Sequence, residues 1–283
     1  MLDREEYIEQ AHFFRTLSQR LRGSTTTQDL LASIREEVLA TTKLPMAIDF
    51  LASELRLKGI FSSAMEKLGH YFTPFQTFVV AEAEREKGKF DLFAALEILQ
   101  REASYRGEGA SPQGLFLFEF EAIARNRLGY DRGLEAIAGD PMFDAGWREW
   151  ILMVRRQVGL SDIADLLYVR SEYYVKQKAA QGHADEEPKP VLFGEREGRI
   201  ALANRRKDPL LLFSALHRQL GYPEVPRPTA IDETPKIVPS LVRRMERLEA
   251  RLKLIEEEQK GGIDLRKFYG PNRGSWPTDD EPS

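Results

Sequence analysis

The chain has 283 residues, 42% of them hydrophobic and 30% charged, with a formal net charge of −4 and no cysteine. That balance describes a soluble protein able to bury a substantial core in one or two domains, and its acidic sum argues against generic polyanion binding. The absence of cysteine excludes disulfides, thiolate nucleophiles and cysteine-based zinc or iron–sulfur sites.

The opening Met1-Leu2-Asp3-Arg4-Glu5-Glu6 lacks the basic-then-apolar order of a secretory signal, and no apolar run approaches the ~20 residues of a membrane span. The expectation is a cytoplasmic protein with no membrane partner. Helical periodicity then dominates 1–180, read as an α-helical body. Tyr7, Ile8, Ala11, Phe14, Leu17 and Leu21 form one stripe, closed by Gly23, and Leu30, Leu31, Ile34 and Val38 begin a second. Pro45 opens a third helix, and Gly59 and Gly69 bracket a short fourth. Thr73-Pro74 and Ser111-Pro112 read as N-cap followed by N1, because proline has no N–H to lose in a first helical turn. Helices are also predicted from Asp91 to about Tyr105, Asp131 to Ala138, Phe143 to Val158 and Ser161 to Ala180.

Two turns, Lys87-Gly88-Lys89-Phe90-Asp91 and Leu128-Gly129-Tyr130-Asp131, resemble the tight helix-to-helix turn of tetratricopeptide-type repeats. The helical positions of that signature do not follow: Phe93 and Val80-Ala81 stand where a small residue and a Leu-Gly pair belong. The reading that remains is physical, an array of short antiparallel helix pairs, helical-repeat-like.

Beyond 180 the pattern changes. Val191-Leu192-Phe193 and Ile200-Ala201-Leu202 flank Gly194-Glu195-Arg196-Glu197-Gly198, which predicts a β-hairpin with Gly198 in the left-handed position. Asp208-Pro209 starts an apolar helix against which it would pack, so 181–222 reads as a hairpin-plus-helix module. A Pro-rich linker over 223–237 follows, then a coiled coil over 238–260 and a flexible tail over 261–283.

In the coiled coil Val238, Leu241, Met245, Leu248, Leu252 and Ile255 alternate by threes and fours, the a/d seam of a two-helix pair. Arg244 and Arg251 fall at g, and Glu249 and Glu256 at e. A parallel pair sets Arg244 opposite Glu249 and Arg251 opposite Glu256. An antiparallel pair centred on Arg251 sets that residue against itself, so the pattern favours a parallel homodimer. Six side chains at roughly 1.5–3 kcal/mol each supply the affinity. Ion pairs at about 0.2–1 kcal/mol select orientation. In the tail, Ile263, Leu265, Phe268 and Tyr269, with Arg266 and Lys267 among them, form a candidate motif for a partner's groove.

Catalytic and cofactor motifs are missing from the sequence: no Gly-x-Ser-x-Gly, no phosphate-binding Gly-x-x-x-x-Gly-Lys. Glu9 and His12 have metal-ligand spacing, but Glu66 and His70, four apart, make no second such pair. Glu82, Glu84, Glu86, Glu119 and Glu121 interleave with apolar positions in the manner of a solvated face. No catalytic residue, metal or cofactor is assigned. The functional expectation is a non-enzymatic scaffold or adaptor that binds itself and an unnamed protein partner. The alternative is a dimeric winged-helix-like DNA regulator. Its helix-turn-helix would lie near 161–178, presenting Arg170, Ser171, Tyr173, Lys176, Gln177 and Lys178, and its wing near 191–203 with Arg196 at the tip. Arg205-Arg206-Lys207 would contact phosphates.

Overall fold

The computed structural model describes residues 2–23, 26–85, 90–182 and 189–227, all within one unit, Met1–Thr229. The expectations for 228–283, including every seam and tail residue named above, and for the turn residues Lys87 to Lys89 lie outside the described residues.

Thirteen helices form among the described residues. They are α1 (Arg4–Arg20), α2 (Thr27–Glu37), α3 (Leu44–Lys58), α4 (Ser62–Lys67), α5 (Pro74–Ala83), α6 (Leu92–Gly107) and α7 (Pro112–Asn126). They continue with α8 (Tyr130–Ala138), α9 (Ala145–Gln157), α10 (Ile163–Tyr168), α11 (Glu172–Ala180), α12 (Glu195–Ala203) and α13 (Pro209–Leu220). None of them is long and apolar enough to cross a membrane.

Their starts follow the local capping chemistry. Thr73 accepts from the Gln76 amide while the Gln76 side chain accepts from the Thr73 amide, a complete capping box. Ser111 accepts from Gly114 N at 3.1 Å and Asp208 from Leu210 N at 2.9 Å. The end of α7 breaks the usual chemistry: Arg127 takes a left-handed φ of 54°, the position glycine normally fills, and Leu128 N closes back on Ile123 O.

Neighbours in sequence pair as expected for α2 with α3 and α8 with α9, but the most extensive packing joins α1 to α6. These two run antiparallel, with Arg4 Nε donating to Gly107 O at 3.1 Å. Phe13, Phe14 and Leu17 of α1 enter one core with Leu96 and Leu99 of α6. A second aromatic centre stacks Phe116, Trp147, Trp150 and Phe193, with ring centroids 4.7–5.9 Å apart.

The hairpin expected at 191–202 does not form; Gly194 instead caps α12. Glu195 and Glu197 lie in its first turn, where the helix dipole favours acids, and Glu195 pairs with Arg199 one turn on. Gly198 is helical and is not in the left-handed region. Its missing side chain lets α12 press on α11: a Cβ there would lie 2.2 Å from Ser171 Oγ. Leu192 and Phe193 are buried all the same, and the backbone meets the α10–α11 turn, with Leu192 N and Phe193 N both donating to Arg170 O. Phe193 packs against both Trp147 and Trp150, and that needs no strand.

Candidate functional site

Two arrangements bring chemically active side chains together: a polar network sealed in the core, and an aromatic–cationic face on α10, α11 and α12.

The network centres on Arg106 of α6. Its Nε donates to Glu102 Oε1 at 2.7 Å, and one terminal nitrogen donates to Glu119 Oε1 at 3.1 Å and Asp140 Oδ2 at 2.5 Å. All three carboxylates have no solvent exposure. Asp140 sits in the turn between α8 and α9, where its other oxygen accepts from Met142 N at 2.8 Å. Glu102 Oε2 accepts from Gln76, whose amide also donates to Gln10 Oε1, and Gln10 in turn donates to Tyr71 O. Tyr71 donates its hydroxyl to Glu6, which also accepts from Lys43 N. One chain of hydrogen bonds therefore links α1, α5, α6, α7 and the α8–α9 turn.

The electrostatics of the centre are unbalanced. Three ionised carboxylates around one guanidinium would leave a charge of −2 in a dry interior, which is costly. Burial pushes the Glu119 carboxyl well above the usual range; Arg106 opposes that, and Asp140 and Glu102 reinforce it. Burial likewise raises Glu102, against Arg106 and Gln76. Glu119 Oε2 has no hydrogen-bond partner, so a charge on it would be unsolvated, which acts in the same direction as burial. Burial works to lower the Arg106 guanidinium, but Glu102, Asp140 and Glu119 together hold its pKa well above the ordinary value. The three acids offer oxygens within 4.8 Å of one another, a spacing that suits a metal ion. Hydrogen bonds from Arg106 to all three put the guanidinium in that role already.

The acids expected on a solvated face are thus corrected in part. Glu119, Glu121 and Glu82 are buried, each against an arginine: Arg106, Arg125, and the pair Arg85 and Arg132. Glu121 also accepts from the Tyr222 hydroxyl at 2.8 Å. The local hints were helical spacings within apolar stretches: Glu102 with Arg106 and Glu121 with Arg125 at i,i+4, and Glu82 with Arg85 at i,i+3. Of the weighed metal pairs, Glu9 accepts from Leu39 N and His12 lies beside Thr16, while Glu66 and His70 stay exposed.

The second arrangement is the predicted helix-turn-helix. α10 and α11 are joined by a three-residue turn that contains no left-handed residue. Arg170 and Ser171 are buried there: Arg170 donates to Pro190 O, burial lowering its pKa, and Ser171 caps α11. α11 buries no residue. Tyr168 and Gln177 share a hydrogen bond of 2.7 Å, and Tyr173 and Tyr174 set their edges toward Tyr168. Cations lie over all three rings: Arg205 over Tyr168, Arg199 over Tyr173 and Lys178 over Tyr174, 5.4–5.5 Å from the centroids. Carboxylates hold the cations in turn, Arg205 by Asp165 and both Lys176 and Arg199 by Glu195. Arg196, expected at a wing tip, is exposed on α12 instead.

Compared with protein-family models, curated proteins and solved structures, the chain matches none of them.

Proposed function

We propose that the protein is a non-enzymatic scaffold or adaptor that self-associates through 238–260 and receives a protein partner on the face of α11. The observation that carries this reading is a helix held outside the core. α11 contributes no buried side chain, Val175 on it is 46% exposed and Val169 in the preceding turn 40%. A helix with no fully buried side chain gains little from its own packing, so its placement against α12 supports a role in presenting a surface. The chemistry of that surface is aromatic and apolar, with Arg205 paired to Asp165 and with Lys176 and Arg199 sharing Glu195, which suits a protein surface better than a polyanion.

A duplex-DNA reader is the second reading, favoured by the short α10–α11 turn and by the exposed run Arg205-Arg206-Lys207. It no longer has a β-wing, and Arg170, one of its readout residues, is buried.

Purification of the full-length protein under native conditions separates the two. A stoichiometric protein that is lost on Val175→Asp supports the adaptor. Nucleic acid carried through purification, with a raised 260/280 nm ratio abolished by Arg205→Ala with Arg206→Ala, overturns it.

A further inference from the structure

Where the C-terminal end of α1 meets the N-terminal end of α6, the surface opens into a cleft of about 520 Å³. Three arginines line it: Arg15 and Arg22 from α1 and its end, and Arg227 from the segment after α13. None of the three has an acidic partner among the described residues, whereas Arg20 beside them is held by Glu37 at 2.5 Å.

Two carboxylates also line the cleft beside the three arginines, so its charged side chains sum to +1. Asp91 caps α6 by accepting from Ala94 N, and Glu97 is paired with Arg101 at 2.5 Å. Arg227 is not there by chance of a loose strand. Tyr222, Val225 and Pro226 are buried, the Arg101 guanidinium donates to Glu224 O, and Asn126 donates to Pro226 O at 3.2 Å. This anchoring across α6 and α7 delivers the third guanidinium to the cleft.

One wall is aromatic. Phe93 is half-buried, and the Arg22 guanidinium lies 5.0 Å from its ring centroid. A guanidinium stacked on a ring extends a flat surface on which a further planar group can rest. Gln19 and Gln100 add amides able both to donate and to accept. The volume lies within the 300–1,000 Å³ typical of small-molecule sites and exceeds the needs of a single phosphate.

We propose that this cleft binds a nucleoside di- or triphosphate. Arg15 and Arg227 hold the phosphates, and Phe93 with Arg22 supports the base. The site requires unpaired positive charge and a flat apolar wall in one cavity, and the cleft supplies both within a chain of net charge −4.

The test is calorimetric titration of the full-length protein with ADP, ATP and inorganic pyrophosphate. Stacking of a base is worth about 1–3 kcal/mol, so ADP should bind at least about fivefold more tightly than pyrophosphate. Arg15→Ala with Arg227→Ala should weaken all three ligands about tenfold or more. Both side chains are exposed, so the melting temperature of the unliganded variant should not move. Phe93→Leu should retain pyrophosphate affinity and erase the preference for ADP. No heat of binding with any ligand, binding indifferent to the arginine substitutions, or pyrophosphate binding as tightly as ADP would each overturn the proposal.

Discussion

Arg106 on α6 and Asp140 in the α8–α9 turn meet at 2.5 Å although 34 residues separate them in the chain. Their contact closes the polar centre and ties the turn that launches α9 to the α1–α6 pair. Arg106→Met keeps the bulk and removes the guanidinium's hydrogen bonds to Glu102, Glu119 and Asp140, leaving those from Gln76 to Glu102 and from Met142 N to Asp140. Breaking a buried pair in this way costs about 3–5 kcal/mol, readable in urea denaturation. Arg106→Lys should recover little of that, because one ammonium cannot reproduce the planar fork that reaches three carboxylates. Wild-type stability in the methionine variant would show that the acids are satisfied without the guanidinium.

The raised carboxyls set a pH dependence whose sign is unusual for acids. Glu119 and Glu102 hold their protons to higher pH folded than unfolded, so the native state binds more protons above the ordinary carboxylate range. Stability from this source is complete below that range and is lost as pH rises through the folded-state values. Across that window each such group contributes a slope of about 1.4 kcal/mol per pH unit. Glu119→Gln cannot ionise and still offers an oxygen to Arg106. It should flatten the stability profile above pH 5 and be the more stable protein at pH 8. A variant profile parallel to that of the wild type would remove Glu119 as the source.

Gly198 reports on the contact between α11 and α12. In a solvent-facing helix Gly→Ala stabilises by about 1 kcal/mol. Here the added Cβ would meet Ser171 Oγ at 2.2 Å, Ser171 Cβ at 2.6 Å and Tyr173 Cβ at 2.8 Å. Gly198→Ala should therefore destabilise, by about 1–3 kcal/mol, and speed amide exchange in α11. A rise in melting temperature would mean that α11 does not rest on α12.

Self-association is expected to depend on the heptads. Leu248→Pro breaks a helix at a d position and should convert the dimer to monomer in light scattering. Exchanging Arg244 and Arg251 for Glu should weaken the homodimer, and a partner chain carrying Lys at 249 and 256 should restore it. An unchanged oligomer after deletion of 236–283 would place the interface elsewhere.

Helix starts were legible in the sequence because capping acts across three or four residues: Thr73 with Gln76, Ser111 with Gly114 and Asp208 with Leu210 are complete statements in the local chain. The apolar stripes of α1 and α2 were legible for the same reason, since a helical face repeats within two turns. The 195–203 segment was not. Two glycines four apart between short apolar runs suit a turn or a helix equally, and the choice fell to the helix when Gly198 met Ser171 and Phe193 packed on Trp147 and Trp150. The fate of the acids was also decided only in three dimensions. Glu84, the exposed Glu66 and the buried Glu119 look alike in one dimension, because whether a carboxylate can leave water depends on a cation supplied from elsewhere in the chain. Arg106 lies 13 residues from Glu119 and 34 from Asp140, distances over which no local pattern operates, and only the packing of α6 against α7 and the α8–α9 turn brings these charges together.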